Sequence, residues 1–311
     1  MILAGVIAVG EFQRHRTVWN QKRKEALTGW LFLLPELIGM LLFNAFALVF
    51  SLYLSFTEWD LISGLSGIRF IGLDNYMKMF QDSSIILALK NNLYYTVLTV
   101  PVSIAIALVM AVIIHTKVYW QGYFKVVFFI PYISSIIAIA TVWSALLHPS
   151  LGPVNQFLRR LGIAELPTWL ADPDTSLLSI AIISAWAGLG YIIIIYLAGL
   201  TNISDELYEA ADIDGASELQ KFFKITIPML RPTTFFLFIT MLIASFKVFD
   251  IIAFLTGGGP HNSSTVVVFR IYEEGFINYN MGYASAISWL LFAIISLITA
   301  VTWKFRKEDA A

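Results

Sequence analysis

Six stretches of this sequence are continuous apolar runs of about the 20 residues that a helix needs to cross a hydrocarbon core: Trp30–Phe56, Leu93–Ile114, Val126–Leu147, Leu177–Leu200, Thr233–Leu255 and Ala284–Trp303. Few folds are open to such a chain. Inside lipid every backbone N–H and C=O must find its partner within the protein, so a spanning segment is a helix or a strand of a closed barrel. Barrel strands alternate apolar and polar residues over about ten positions, and these runs do not alternate. The expected fold is an all-α membrane protein with six transmembrane helices. Composition supports it, with 58% hydrophobic and only 13% charged residues. A soluble domain carries about 25% charged residues, and a soluble chain of this length could not hide so much apolar surface.

Orientation follows from Lys and Arg, which accumulate on the cytoplasmic side. With the N-terminus inside, that side holds Arg14, Arg16, Lys22, Arg23, Lys24, Lys117, Lys125, Lys221, Lys224, Arg231, Lys304, Arg306 and Lys307. The outer side holds Arg69, Lys78, Lys90, Arg159, Arg160 and Arg270. The expectation is N-in and C-in: a cytoplasmic segment 1–29, a membrane domain 30–303 and a cytoplasmic tail 304–311. Met1–Gly10 is apolar but too short to span, and it lacks the positive start of a signal peptide. It reads as an interfacial or disordered extension. The chain has no cysteine, which excludes disulfides, thiol catalysis and Cys-ligated zinc. No basic module suits nucleic acid, and the histidines and acids show no metal-ligand spacing.

The loop 201–231 carries most information. Ser204 can cap a short helix whose first turn holds Asp205 and Glu206, and Gly215 offers a left-handed stop. Ser217 with Gln220 makes a capping box for a second helix, which Pro228 should end. Leu207, Ala210 and Ala211 share one face of the first helix, and Leu219, Phe222 and Phe223 one face of the second. Such a pair could dock into a groove on another protein or rest on lipid headgroups.

Glu209-Ala210-Ala211, then Gly215, then Ile225-Thr226-Ile227-Pro228 resembles the "EAA" loop of ABC-importer permeases. Phe70–Tyr76, Asn92–Thr96, Leu197–Leu200 and Leu255–Pro260 resemble the carbohydrate-permease branch, in the larger-subunit type of the maltose and glycerol-3-phosphate importers. The likeness runs from about Trp30 to Trp303. One departure is Asn202-Ile203-Ser204-Asp205, where that family usually has Gln-x-Ile-Pro; it should change the helix entry. The resemblance implies a type I ABC-importer permease fold with cytoplasmic coupling helices, importing a sugar, an oligosaccharide or a sugar-phosphate-like solute. Glu209, Ala210, Ala211, Asp214, Gly215, Leu219, Phe222 and Phe223 would then meet a nucleotide-binding subunit. It also implies partners: a second homologous permease, two ATPase subunits and an extracytoplasmic solute-binding protein, all around a chain embedded in membrane lipid. The phosphate-binding G-x-x-x-x-G-K-[ST] sequence is absent. This chain is therefore expected to bind no cofactor and hydrolyse no ATP, with ATP and Mg held by the partner subunits.

Two groups of residues inside the apolar runs are candidates for a pathway. Lys247 and Asp250 fall three apart inside the fifth run, on one helical face. Charges at bilayer depth cost about 3 kcal/mol each on insertion scales, so they either pair structurally or line a path. The fourth run contains Ser184-Ala185-Trp186-Ala187-Gly188-Leu189-Gly190-Tyr191, whose small residues suit close helix packing or leave room for a ligand beside Trp186 and Tyr191. Aligned on its Trp-x-Gly pattern, this stretch resembles the part of the maltose permease that touches sugar. That implies contacts at Ser184, Ala187, Gly188 and Tyr191, and alignment on Gly-Gly-Pro adds Ser245. The competing functions are an ion-coupled secondary transporter, which often shows inverted repeats and broken helices, and an intramembrane enzyme, which would need a paired catalytic constellation. Neither requires the 201–231 loop.

Overall fold

A computed structural model of the chain describes residues 21, 23–117 and 119–308. The expectations for 1–20, including Met1–Gly10, Arg14 and Arg16, and those for Lys22 and 309–311 lie outside these residues, as do the side chains of Arg306 and Lys307. The chain divides between Leu54 and Ser55 into two compact units. Over its described residues the first is occupied by one apolar helix, α1 (Arg23–Ser55), whose last residue falls in the second unit and which passes through a π-helical turn at Met40–Ala45.

The second unit opens with a two-stranded antiparallel ribbon, β1 (Thr57–Glu58) and β2 (Arg69–Phe70), with Thr57 opposite Phe70. Helix α2 (Asp74–Gln81) leads into α3 (Ser83–Lys117). At 1.5 Å per residue α3 is about 50 Å long, well beyond a hydrocarbon core of about 30 Å. Then follow α4 (Gln121–Ile133), α5 (Ile136–Leu146), α6 (Pro153–Arg160) and the long α7 (Ser176–Leu200). A turn carries α8 (Asp205–Ile213) and α9 (Glu218–Met229) into α10 (Arg231–Phe246). Short α11 (Asp250–Leu255) and α12 (Val267–Tyr272) precede the last helix, α13 (Met281–Glu308).

Four helices, α1, α3, α7 and α13, are long and apolar enough to cross a membrane, and up to six spans result if the bent pairs α4–α5 and α9–α10 each count as one. The third expected span, Val126–Leu147, is not a single helix. It breaks at Ser134–Ser135, where the backbone turns extended, and α4 and α5 meet at 94°. Pro131 has already removed one backbone donor there, and the Ile130 carbonyl, which accepts the Ser134 amide at 3.1 Å, also accepts Ser134 Oγ at 2.7 Å. The fifth, Thr233–Leu255, also breaks. Helix α10 stops at Phe246, Lys247–Phe249 is non-helical, and Asp250 starts α11. Lys247 and Asp250 therefore do not share a face of one helix, and among the described residues no ion pair joins them. Pro228 does not end its helix either. The chain widens into a π-helical turn at Phe222–Thr226, continues to Met229, and bends by 64° at Leu230.

Broken helices leave backbone groups without partners, and Asn92 of α3 supplies them. Its Nδ2 donates to the Ser245 carbonyl at the end of α10 (3.2 Å), and its Oδ1 accepts from the Val267 amide at the start of α12 (3.2 Å). The neighbouring Asn91 donates to the carbonyls of Asn262 (3.1 Å) and Thr265 (2.9 Å) in the segment between α11 and α12. Two further asparagines bridge pairs of carbonyls in the same way. Asn75 binds Ser55 and Thr57 at 3.0 and 2.8 Å, and Asn155 binds Pro149 and Pro167, both at 2.9 Å. Tyr283 Oη of α13 donates to Asp82 Oδ2 at 2.9 Å. Burial raises the Asp82 carboxyl, but the hydrogen bonds from Ser84 and Tyr283 outweigh it and hold the group below the usual aspartate range.

Helix α7 is the centre of the packing. It lies against α3 and α4, and its buried Ile180, Ile183, Ile192, Ile193 and Tyr196 reach two of the three apolar clusters. In lipid such contacts rest on van der Waals fit, which favours small residues at the interface. Gly190 is the closest case: a Cβ there would fall on the Phe128 carbonyl and 2.7 Å from the Phe129 Cα of α4, all backbone. We expect Gly190→Val to force α4 and α7 apart and lower stability by about 1–3 kcal/mol. Thermal unfolding of the purified protein in detergent checks this, and an unchanged midpoint would refute the packing role.

Candidate functional site

The helix breaks shape a cavity of about 390 Å³ between α3, α4, α7 and α10. Helix α3 contributes Tyr95, Thr99 and Ser103, four apart and so on one face. Helix α4 brings Tyr132 just before its break, and α7 brings Ser184, Gly188 and Tyr191. Thr240 and Ser245 come from α10. The rings of Tyr132 and Tyr191 stack with centroids 5.1 Å apart and planes 21° apart. No side chain approaches within 4 Å of where a Cβ of Gly188 would stand. Two glycines two residues apart thus differ: Gly190 is filled by backbone and Gly188 faces open space.

Of the residues singled out in the sequence, Ser184, Gly188, Tyr191 and Ser245 line this cavity. Ser245 is already engaged, its hydroxyl 2.9 Å from Thr96 Oγ1 and donating to the Leu242 carbonyl at 2.8 Å. Ala187 is buried in the core and lines a second, adjoining cavity of about 300 Å³. That cavity shares Tyr95 and Ser184 with the first and also takes in Lys247 and Asp250, both exposed. Trp186 lies apart, edge-on to Trp143 at 5.5 Å. Tyr95, Thr99, Ser103, Tyr132 and Thr240 were not anticipated. The signal was present, since hydroxyls repeating every four residues through an apolar run mark a polar stripe on one helix face. Among the described residues no three His, Asp or Glu side chains gather as a metal site.

The second candidate surface is the turn between α7 and α10. The Ser204 side chain accepts from the Glu206 amide, and Ser217 and Gln220 form the reciprocal capping box. Gly215 sits at φ +73 between them, with nothing near its missing Cβ. Lys221, almost fully buried, joins the two helices: its Nζ lies 2.7 Å from Asp212 of α8 and 2.6 Å from Glu218. Tyr208 Oη lies 2.9 Å from Thr226 Oγ1. The turn is thus a braced unit. It leaves Glu209, Ala210, Asp214, Gly215, Leu219 and Phe223 exposed, while Ala211 and Phe222 are half-buried. Ile213, 87% exposed, adds an apolar side chain to the tip that sequence periodicity did not single out. Because the left-handed backbone, not crowding, demands glycine at 215, Gly215→Val should destabilise the turn by about 1–2 kcal/mol and Gly215→Asn by less. Amide hydrogen exchange across 204–221 should be about tenfold faster in the valine variant; equal protection in both variants would contradict this.

The family model described as "Binding-protein-dependent transport system inner membrane component" matches residues 91–303. The chain is 36% identical over 281 residues to a Bacillus subtilis protein named "Probable ABC transporter permease protein YurN", covering 89% of this chain and 95% of that one. It is 33% identical to the sn-glycerol-3-phosphate transport system permease protein UgpA of Agrobacterium fabrum, covering 90% and 94%. To the multiple sugar-binding transport system permease protein MsmF of Streptococcus mutans it is 31% identical, covering 90% and 95%. Among solved structures, it superposes on a chain of a bacterial ABC transporter that imports the acidic polysaccharide alginate. The TM-score is 0.81 at 25% identity, covering 94% of this chain and 98% of that one.

Proposed function

The chain belongs to the family of binding-protein-dependent transport system inner membrane components, and on that premise we propose that it forms half of the translocation path of an ATP-driven importer for a sugar or oligosaccharide. In this reading it crosses the inner membrane six times with both termini in the cytoplasm, each bent pair counting as one span. It pairs with a second homologous permease, and two ATPase subunits bind and hydrolyse ATP with Mg. A binding protein delivers the solute to the outer loops. The names of its relatives support the solute class, since they include sugar and glycerol-3-phosphate permeases. So does a second alginate-importer structure in complex with an alginate pentasaccharide-bound periplasmic protein, which this chain matches with a TM-score of 0.79.

The observation that carries the reading is mechanical. The braced turn at 204–230 is continuous at one end with α7 and at the other with α10, and both helices line the cavity. A force applied to Glu209, Ala210, Asp214, Gly215, Leu219 and Phe223 by a moving partner reaches the cavity walls through two helices. Closure of the ATPase pair then has a route by which to favour the outward-facing state. Import needs only that ATP bind that state more tightly than the inward one.

Two measurements test this. The purified chain alone should show no ATP turnover above background, and robust hydrolysis by it would sink the proposal. Gly188→Leu should place a side chain in the open cavity without touching the packing at Gly190. We expect normal assembly and basal ATPase activity of the complete transporter with uptake lost. Uptake with unchanged affinity and rate would remove the fourth span from the substrate site.

A further inference from the structure

We infer that the solute carried past this chain is uncharged: a neutral saccharide and not a uronate, sugar phosphate or sulfonate. The inference rests on reading the cavity as part of a sugar path. Similarity to a glycerol-3-phosphate permease and to an alginate importer would lead one to expect an anion, and the lining of the cavity argues otherwise.

Among the described residues, every polar side chain lining the 390 Å³ cavity carries a hydroxyl; no Lys, Arg, His, amide or carboxylate is present. Several of those hydroxyls are already committed. Thr99 donates to the Tyr95 carbonyl at 2.8 Å, Thr240 to the Phe236 carbonyl at 2.9 Å and Ser245 to that of Leu242. What remains for a ligand is tyrosine and serine oxygen beside the stacked faces of Tyr132 and Tyr191. A hydroxyl donates or accepts as its partner requires, which suits a solute made of hydroxyls and C–H faces. A carboxylate, phosphate or sulfonate needs several donors at once or a cation, because only charge-assisted bonds replace its lost hydration.

The adjoining cavity does not supply that cation. It holds Lys247, but Asp250 lines it too. Both side chains are exposed and opposite in sign, so together they bring no net positive charge to this cavity. An anionic group in the larger cavity would sit opposite hydroxyls and apolar carbons alone.

The test uses the complete transporter with its binding protein in proteoliposomes. The probes are short neutral oligosaccharides, hexose and pentose trimers, alongside their uronate counterparts. Equilibrium binding of the same probes to the assembled permease pair in nanodiscs separates the cavity from the selectivity of the binding protein. We expect neutral probes to bind the pair and be taken up, with the matching uronates weaker by a factor of about 100, as the cost of an unpaired charge at this depth implies. Comparable binding and uptake of a uronate would overturn the inference and leave the importer assignment standing. No saccharide of either kind taken up would overturn the assignment itself, and this inference with it.

Discussion

Backbone that leaves a helix at membrane depth must be given hydrogen-bond partners, and the architecture of this chain is organised around meeting that demand. Asn92 meets two demands at once, taking the Val267 amide and donating to the Ser245 carbonyl. An unsatisfied pair there would cost about 1–3 kcal/mol for each group. With the pair satisfied, α10 can stop at Phe246 and the chain can turn through Lys247–Phe249, and that interruption opens the wall of the two cavities. At the break that places Tyr132 opposite Tyr191, the Ser134 hydroxyl adds a second donor on the Ile130 carbonyl. The irregularities are what make an apolar bundle hollow.

A hollow bundle becomes a transport element only if something can move its walls. Helices α7 and α10 combine both duties: α7 bears cavity residues near its middle and α10 in its last turns, and each meets the braced turn at one end. The brace consists of one nearly buried lysine between two carboxylates and one tyrosine–threonine contact. A looser turn would absorb displacement that this one passes on.

Much of this was legible in the sequence. Apolar length located the four long apolar helices and the two bent pairs, and the cap residues Ser204, Gly215 and Ser217 marked the turn correctly because capping is a local matter of side chain and neighbouring amide. The breaks were not legible. Val126–Leu147 and Thr233–Leu255 read as single helices because apolar periodicity cannot register a partner such as Asn92, more than 150 positions away from Ser245. The fates of Gly188 and Gly190 were likewise beyond one-dimensional reading, since only the approach of α4 distinguishes packing from emptiness. The hydroxyl stripe Tyr95–Thr99–Ser103 was available in the sequence and overlooked.

Three asparagines, Asn75, Asn91 and Asn155, each bridge two backbone carbonyls at the end of the bundle where α3, α7 and α13 begin. Trp169 Nε1 donating to Asn155 Oδ1 at 2.7 Å extends the last of these into a small half-buried junction. The connecting segments there are fixed before anything lands on them. In the proposed importer, a delivery partner would meet a surface that surrenders little conformational entropy on contact, and its residence time would be set by the contacts it makes. For a carrier that must arrive, unload and depart in every cycle, a rigid landing platform favours rapid exchange over lasting capture.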